Sequence, residues 1–314
     1  MYFKVSEKRI ILSHDPLKNI VQINSMDWQL LQLDTVTIAG RGSNSFIFEA
    51  YPLDDKEQKT IVKICRYYNE DSSNHAKQRI ARFKREITAL ELVKGSGHKD
   101  IAVDIISHGI FKIKPGTEYP SQLKQYSFHY YVMERADSDL DYFLSDRAIV
   151  EQQKLLLCAS LLQSLKKLHS LGIYHRDIKP SNILVFGRQW KLADLGLASF
   201  RNEDLEIDLP NEKIGPIGWL SPEAVNKGCS NQLHPAFNAD TDITDASDIF
   251  QLGKLFWYIM YGSVPTGQME VSDCGMADLF NKIFSPMLQY SKRRRAIIST
   301  IESALHPILH GYGA

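Results

Sequence analysis

The segment YHRDIKPSNILVF, residues 174–186, joins a cluster of polar side chains to an apolar run. Within eight residues it carries an imidazole, a guanidinium, a carboxylate, an ammonium and a carboxamide. These groups belong to His175, Arg176, Asp177, Lys179 and Asn182. The run ILVF that follows predicts a short buried strand, because it is apolar throughout and bounded by other residue types. We expect this strand to hold the polar side chains in fixed positions.

Predicted strands dominate the first part of the chain and predicted helices the later part, which indicates an α+β fold with two lobes. The first part contains short runs dense in β-branched and aromatic residues, typical of strands, and residues 75–93 predict one amphipathic helix. The predicted strands are TVTIAG, SFIFEAY, KTIVKIC and HYYVME. From about residue 155 onward helices dominate, among them KLLLCASLLQSLKKLHSLG and DIFQLGKLFWYIMYG. We therefore expect an N-terminal extension at 1–33, a small antiparallel β-sheet lobe with one key helix at 34–133, a hinge at 134–139 and a larger helical lobe at 140–314.

Composition excludes several classes of protein. The 314 residues include 37 basic and 37 acidic ones, so no global field attracts the chain to nucleic acid or to an anionic membrane. Four cysteines lie far apart without a Cys-x-x-Cys pair, which favours a reducing compartment over disulfides or zinc. No apolar run approaches the ~20 residues that cross a bilayer. We expect a cytoplasmic protein that neither binds nucleic acid nor inserts into a membrane; the oligomeric state stays open.

Two glycines and a lysine in the strand-rich part are candidates for binding phosphate. Gly40 and Gly42, in IAGRGSNSF, lie between two predicted strands, where glycine lets backbone amides approach a phosphate closely. The alternative is an ordinary turn. Lys63 lies within the strand TIVKIC, where its ammonium needs an anionic partner, and Glu86 in the following helix is the candidate. The alternative is that Lys63 is an ordinary exposed lysine of a strand.

A second polar motif, KLADLGLA at residues 191–198, places Asp194 between an apolar strand and a glycine. Phosphoryl transfer from a nucleotide needs a carboxylate to receive the acceptor's proton, an amide and a second carboxylate to hold magnesium, and cations to neutralise the phosphates. These groups are available at Asp177, Asn182 and Asp194, and at Lys63 and Lys179.

Seven motifs, in this order, resemble the eukaryotic-like protein kinase superfamily over about residues 34–310. They are the glycine loop (Gly40, Gly42), the strand lysine Lys63, the helix glutamate Glu86, the loop HRDIKPSN, the triplet DLG, the triplet SPE at 221–223 and SDIFQLG at 247–253. One motif alone could arise by chance, but seven in order could not. The resemblance implies a bilobal protein-kinase-like fold, ATP and Mg²⁺ as cofactors, and a protein substrate with a serine or threonine acceptor.

The resemblance also implies a role for each candidate residue. Asp177 would orient and deprotonate the acceptor hydroxyl, and Lys179 would steady the migrating phosphoryl group. Lys63, paired with Glu86, would hold the α- and β-phosphates. The metal ligands would be Asn182 and Asp194. Further nucleotide contacts would come from Gly40, Gly42, Ser45, Ile47, Ile61, Met133, Glu134, Ala136 and Leu184.

Two supporting contacts are also implied by the resemblance. Glu223, in the SPE triplet, would form a buried ion pair with an arginine of KRRRA, either Arg294 or Arg295. Asp248 would hold the catalytic loop from below.

Some positions depart from the family pattern without removing a ligand or a base. Ser45 replaces the third glycine of the loop, Ile61 replaces the usual alanine, and Leu195 replaces the usual phenylalanine of the metal-binding triplet. Two other functions stay open: a kinase-fold enzyme with a non-protein acceptor, and a nucleotide-binding scaffold without turnover. The SPE triplet favours a protein kinase, because small-molecule kinases of this fold usually lack that peptide-docking platform.

The signals for the acceptor residue disagree. Lys179, two residues after Asp177, resembles serine/threonine kinases, whereas Pro216 in GPIGW resembles the substrate loop of tyrosine kinases. We favour serine and threonine, because Lys179 would touch the reacting phosphoryl group itself.

The segment at residues 200–214 lacks serine, threonine and tyrosine, although Arg176 is the family residue that usually binds a phosphate on this loop. The segment instead contains Glu203, Asp204, Glu206, Asp208 and Glu212. We hypothesise that one of these carboxylates pairs with Arg176 and orders the loop without phosphorylation. The alternative is a solvated acidic loop without specific contacts.

Overall fold

A computed structural model of the chain describes residues 1–33, 44–116, 125–201, 207–209, 211–232, 238–267 and 269–311. Its residues divide into two compact units. The first comprises Met1–Lys99 and Val103–Asp137, and the second comprises Asp100–Ala102 and Ser138–Ala314. The first unit is built on an antiparallel sheet and the second is mainly helical, so the predicted α+β fold class is confirmed.

The first unit contains eight strands and one helix among its described residues. They are β1 Tyr2–Lys4, β2 Arg9–Ile11, β3 Ile20–Ile23, β4 Met26–Gln32, β5 Ser45–Pro52, β6 Thr60–Cys65, α1 Asn74–Gly95, β7 Ile105–Ile113 and β8 Tyr126–Glu134. β1 and β2 form a hairpin, and the others form one sheet in the order β3-β4-β5-β6-β8-β7 with every neighbouring pair antiparallel.

The sheet includes strands that precede residue 34, where the sequence predicts that the small lobe begins. β4 pairs with β5 from Trp28↔Pro52 to Gln32↔Phe48. Trp28 and Leu30 belong to the apolar core of this unit. The predicted strand TVTIAG at residues 35–40 lies outside the described residues, and so do both candidate glycines, Gly40 and Gly42.

Helix α1 covers the predicted helix at residues 75–93 and extends it at both ends. It begins after Ser73, whose side chain accepts a hydrogen bond from the backbone N–H of Ala76 at 3.2 Å. This cap satisfies one of the free amides of the first turn. Phe83, Glu86 and Leu90 are among the residues that the helix buries, and α1 contacts β6, β7 and β8.

The second unit contains the remaining elements. They are β9 Ser138–Asp139, α2 Leu140–Asp146, α3 Glu151–Ser170, β10 Ile173–Tyr174, β11 Ile183–Phe186, β12 Gln189–Leu192, β13 Ser199–Phe200, α4 Pro222–Cys229, α5 Asp245–Tyr261, α6 Ala277–Leu279, α7 Ser285–Met287 and α8 Ile298–Gly311. β11 is the buried strand predicted from ILVF, and it pairs with both β9 and β12.

Helix α5 forms the centre of this unit and contacts α3, α4 and α7. It buries most of its side chains and ends at Gly262, whose φ of 74° is the left-handed conformation that glycine adopts at low cost. Gly253 allows a close contact in mid-helix, since a Cβ there would lie 2.9 Å from the Cβ of Met287. Across the described ranges, every helix is too short or too polar to span a bilayer.

Candidate active site

The polar loop between β10 and β11 folds back on itself around one carboxylate. Asn182 Nδ2 donates hydrogen bonds to the backbone oxygen of Asp177 at 2.8 Å and to its Oδ2 at 2.7 Å. Lys179 Nζ lies 3.3 Å from the same Oδ2. The fold therefore brings the Asp177, Lys179 and Asn182 side chains together, as the sequence predicts.

The Asp177 carboxyl group is buried, and its pKa reflects this position. Burial raises the pKa of Asp177 to about 6, because a buried carboxylate loses the solvation of its charge. The neighbouring Asp194 carboxylate also raises this pKa, whereas Lys179 and the hydrogen bond from Asn182 lower it. A carboxyl group with a raised pKa is better able to accept a proton than an ordinary aspartate.

Asp194 lies two residues after the end of β12, and a backbone hydrogen bond of its neighbour Ala193 holds this point of the chain next to Asn182. The Ala193 N–H donates to the backbone oxygen of Asn182 at 2.9 Å. Asp194 has a φ of 59° and Arg176 a φ of 67°, both in the left-handed region. A non-glycine residue held there costs roughly 1–3 kcal/mol, and such residues are concentrated at functional sites.

Two side chains of helix α5 hold the loop in place through hydrogen bonds to its backbone. Asp248 accepts hydrogen bonds from the backbone N–H groups of His175 and Arg176, each at 2.7 Å. Gln251 accepts from the N–H of Ile178 at 3.0 Å and donates to the backbone oxygen of Arg176 at 3.2 Å. The sequence predicts Asp248 in this position, whereas Gln251 was not among the predicted residues. Gln251 lies three residues after Asp248 on the same face of the helix, and this spacing indicates that both side chains can contact the same loop.

The predicted pair in the sheet unit is a buried ion pair. Lys63 Nζ on β6 lies 2.8 Å from Glu86 Oε1 and 3.1 Å from Oε2, and both side chains are almost fully buried. The Tyr131 hydroxyl donates to Glu86 Oε1 at 2.9 Å. Sequence reasoning missed Tyr131, which pairs directly with Lys63 between β6 and β8. Charges buried in this way need both an opposite charge and hydrogen bonds.

The other predicted nucleotide contacts are distributed over both units. In the first unit Ser45 and Ile47 lie on β5, Ile61 lies on β6, Met133 and Glu134 lie at the end of β8, and Ala136 follows β8. Ile61 pairs with Met133 across the sheet, and Glu134 Oε1 accepts a hydrogen bond from the N–H of Asp104 at 2.7 Å. In the second unit, Leu184 on β11 is buried.

The SPE triplet is fixed by an arginine far along the chain. Arg295 Nη1 lies 2.7 Å from Glu223 Oε1, and Arg295 Nη2 lies 3.1 Å from Oε2. Ser247 at the start of α5 donates to the same Oε1 at 2.6 Å. Of the two arginines that the sequence left open, Arg295 is the buried partner and Arg294 is exposed.

The acidic segment after β13 provides a partner for Arg176. Arg176 Nη2 forms an ion pair with Asp208 Oδ2, and both side chains are largely buried. Glu212 Oε2 accepts a hydrogen bond from the N–H of Leu209 within the same segment. The other candidate carboxylates, Glu203, Asp204 and Glu206, lie outside the described residues.

The sequence pattern of the family described as "Protein kinase domain" matches residues 33–310. The chain belongs to the protein kinase family. The resemblance inferred from the seven motifs is confirmed, and the chain has the antiparallel sheet lobe and helical lobe that this resemblance implies.

Curated relatives of this chain share about a quarter to a third of its residues over the aligned parts. Dual specificity protein kinase TTK of Mus musculus is 25% identical over 227 residues, covering 72% of this chain and 24% of that protein. Mitogen-activated protein kinase 5 of Oryza sativa subsp. indica is 25% identical over 219 residues, covering 69% and 50%. Serine/threonine-protein kinase AfsK of Streptomyces griseus is 32% identical over 109 residues, covering 35% and 12%. The alignments with this chain therefore span half the length or less of these relatives.

The donor set of this chain fits a divalent cation of the kind that the family uses with ATP. Asn182 donates two hydrogen bonds to Asp177 through its amide nitrogen, which leaves the amide oxygen as the group available to a metal. Asp194 adds a carboxylate just after β12. Oxygen ligands of this type are those that Mg²⁺ prefers.

Proposed function

We propose that the chain transfers the γ-phosphoryl group of ATP to serine and threonine hydroxyls of protein substrates, with Mg²⁺ as the metal. The observation that carries the proposal is the cluster of Asp177, Lys179 and Asn182, in which a buried carboxylate lies within hydrogen-bond reach of an ammonium and an amide. This is the arrangement that phosphoryl transfer requires, because positioning and charge stabilisation do most of the catalysis.

Each residue has a distinct part in the proposed reaction. Asp177 orients the acceptor hydroxyl and takes its proton, and Lys179 stabilises the charge on the transferred group. Asn182 and Asp194 hold the metal, which when bound neutralises phosphate charge. Lys63 binds the α- and β-phosphates, and Glu86 keeps its ammonium in place. The Lys63–Glu86 ion pair is already formed in the structure, so this part of the proposed site is in place before nucleotide binds.

Serine and threonine are favoured over tyrosine because Lys179 lies next to the proposed base. Its ammonium is 3.3 Å from Asp177 Oδ2, where it can contact the phosphoryl group during transfer. A matched set of peptides that differ only in the acceptor residue tests this choice. We expect the serine and threonine peptides to be phosphorylated and the tyrosine peptide to react far more slowly. Faster phosphorylation of the tyrosine peptide would contradict the proposed specificity without contradicting kinase activity.

A protein acceptor is favoured over a small molecule by the buried contact between Glu223 and Arg295. This pair fixes the start of α4, the part of the chain that the family uses for peptide docking. Turnover is favoured over a silent scaffold because the proposed base, both proposed metal ligands and the lysine–glutamate pair are all present.

The ion pair between Arg176 and Asp208 supports activity without phosphorylation of the loop. A carboxylate in this position supplies negative charge that an arginine binds, as a phosphate does in regulated kinases. The pair is buried, so bulk water weakens it less than an exposed pair.

We expect Asp208→Asn to lower kcat/KM for a peptide substrate by at least about tenfold, because a hydrogen bond to a charged group contributes roughly 1.5–3 kcal/mol. The control is Asp278→Asn, which neutralises an exposed carboxylate on α6 and should leave kcat/KM unchanged. Treatment of the unsubstituted protein with a phosphatase should also have no effect. Full activity of Asp208→Asn, or loss of activity after phosphatase treatment, would remove this part of the proposal.

A further inference from the structure

The two edge strands of the six-stranded sheet in the first unit, β3 and β7, approach each other at the end of β3. Ser107 on β7 donates a side-chain hydrogen bond to Oδ1 of Asn24, in the turn after β3, at 3.2 Å. Residues of both strands line one groove of about 660 Å³, including Ile20 and Gln22 of β3 and Ile110 and Lys112 of β7. Within the described ranges β3 pairs only with β4, and β7 pairs along its length only with β8. The groove therefore lies between two edges with free backbone groups.

The chain already uses the end of this edge to bind an extended segment. The Phe3 N–H of β1 donates to the backbone oxygen of Lys114 at 2.9 Å, and the N–H of Gly116 donates to the backbone oxygen of Phe3 at 3.0 Å. These bonds add β1 to the continuation of β7. From Ser107 to Lys112, the same edge has no such partner among the described residues. At about 3.3 Å per residue, this stretch can pair with a peptide segment of similar length.

The charge of the groove favours an acidic occupant. Lys18, Lys112 and Lys114 line it, and none of its described lining residues is an aspartate or a glutamate. Lys112 and Lys114 form no ion pair with any described residue. The opposite face of the same stretch is apolar, since Phe111 and Ile113 also line the groove. Successive side chains of an added strand point to opposite faces of the sheet. A segment that alternates acidic and apolar residues would therefore place its acidic side chains beside the lysines and its apolar side chains on the apolar face.

We propose that this groove binds an extended acidic segment of a partner protein, which adds to the free edge of β7 as a further strand. Backbone hydrogen bonds would supply affinity in this mode, and the side-chain contacts would supply selectivity. A second copy of the chain is disfavoured as the occupant, because its β7 edge would bring lysines against lysines. The proposal is independent of phosphoryl transfer, since the groove belongs entirely to the sheet unit.

The test uses the full chain without ATP and a fluorescein-labelled peptide of seven residues that alternates glutamate and valine. Two further peptides serve as controls: one alternates lysine and valine, and one is the glutamate peptide methylated at its backbone nitrogens. Fluorescence anisotropy should show that both controls bind at least about tenfold more weakly, because one repels the lysines and the other cannot donate backbone hydrogen bonds. Equal binding of either control would overturn the proposal.

A charge reversal in the groove tests whether the peptide binds there. Lys112→Glu should weaken binding of the glutamate peptide by at least about tenfold and strengthen binding of the lysine peptide. The matched control Lys56→Glu changes an exposed lysine elsewhere on the same unit and should change neither affinity. Hydrogen exchange with the peptide bound should slow at the backbone amides of β7. Unchanged binding by Lys112→Glu, or slowed exchange confined to other strands, would contradict the proposed site.

Discussion

Replacement of Asp177 by asparagine is expected to lower kcat for phosphoryl transfer by about 10²–10⁴, the usual effect of removing a general base. Asparagine has nearly the same shape as aspartate, and its side-chain oxygen can still accept the hydrogen bond from Asn182 Nδ2. The loop should therefore keep its conformation, which the backbone bonds to Asp248 and Gln251 also stabilise. What the variant loses is the carboxylate that receives the proton.

The measurement is kcat with a peptide substrate, together with binding of a fluorescent ATP analogue. We expect nucleotide affinity to change little, because Asp177 is proposed to contact the acceptor and not the nucleotide. Asp146→Asn, at the exposed end of α2, is the matched control and should keep full kcat. A variant at Asp177 with full kcat would show that another group accepts the proton.

Replacement of Arg295 by methionine is expected to lower the free energy of unfolding by roughly 3–5 kcal/mol, because it leaves a buried carboxylate without its opposite charge. Glu223 is 2% exposed and Arg295 is 6% exposed, so water does not replace the lost partner. Arg294→Met is the matched control. Arg294 is the exposed neighbour in the same basic run, and its loss should change the free energy by less than about 0.5 kcal/mol.

Urea unfolding of both variants and of a double variant measures these effects. Glu223→Gln combined with Arg295→Met should recover part of the lost stability, because the double variant no longer buries an unpaired charge. An Arg294→Met variant less stable than Arg295→Met would contradict the assignment of the partner.

The ion pair between Glu223 and Arg295 makes the free energy of unfolding depend on pH. Burial raises the pKa of Glu223, but the hydrogen bonds from Arg295 and Ser247 outweigh this and hold the pKa below its usual value. A carboxyl group with a lowered pKa in the folded state stabilises the fold above its unfolded pKa, and this contribution is lost as the pH falls through the folded pKa. Glu223→Gln should therefore flatten the loss of stability in acid, measured by urea unfolding at several pH values.

The proximity of Asp177, Lys179 and Asn182 could be predicted because these residues lie in one short segment. Their contacts depend mainly on the local turn before β11. The choice between Arg294 and Arg295 could not be predicted, because adjacent residues differ only in the direction of their side chains. Tyr131 was missed for a related reason, since its contact with Glu86 depends on which residues pair between β6 and β8.

The strands before residue 34 were harder to predict than the later ones. In β4, Gln29 is buried as well as Trp28 and Leu30, so the alternation of apolar and polar residues that indicates a strand is interrupted. Gln29 is tolerated inside because its side-chain amide donates to the backbone oxygens of Pro16 and Leu30. A contact with a segment thirteen residues away cannot be seen in the local pattern.

The most direct test of the proposed function follows the γ-phosphoryl group itself. The folded chain is incubated with γ-labelled ATP, Mg²⁺ and a generic protein acceptor, beside Asp177→Asn, and the phosphorylated residues are identified by mass spectrometry. We expect label on serine and threonine with the unsubstituted chain and almost none with the variant. Equal labelling by both proteins, or no labelling by a chain that binds ATP, would contradict the account.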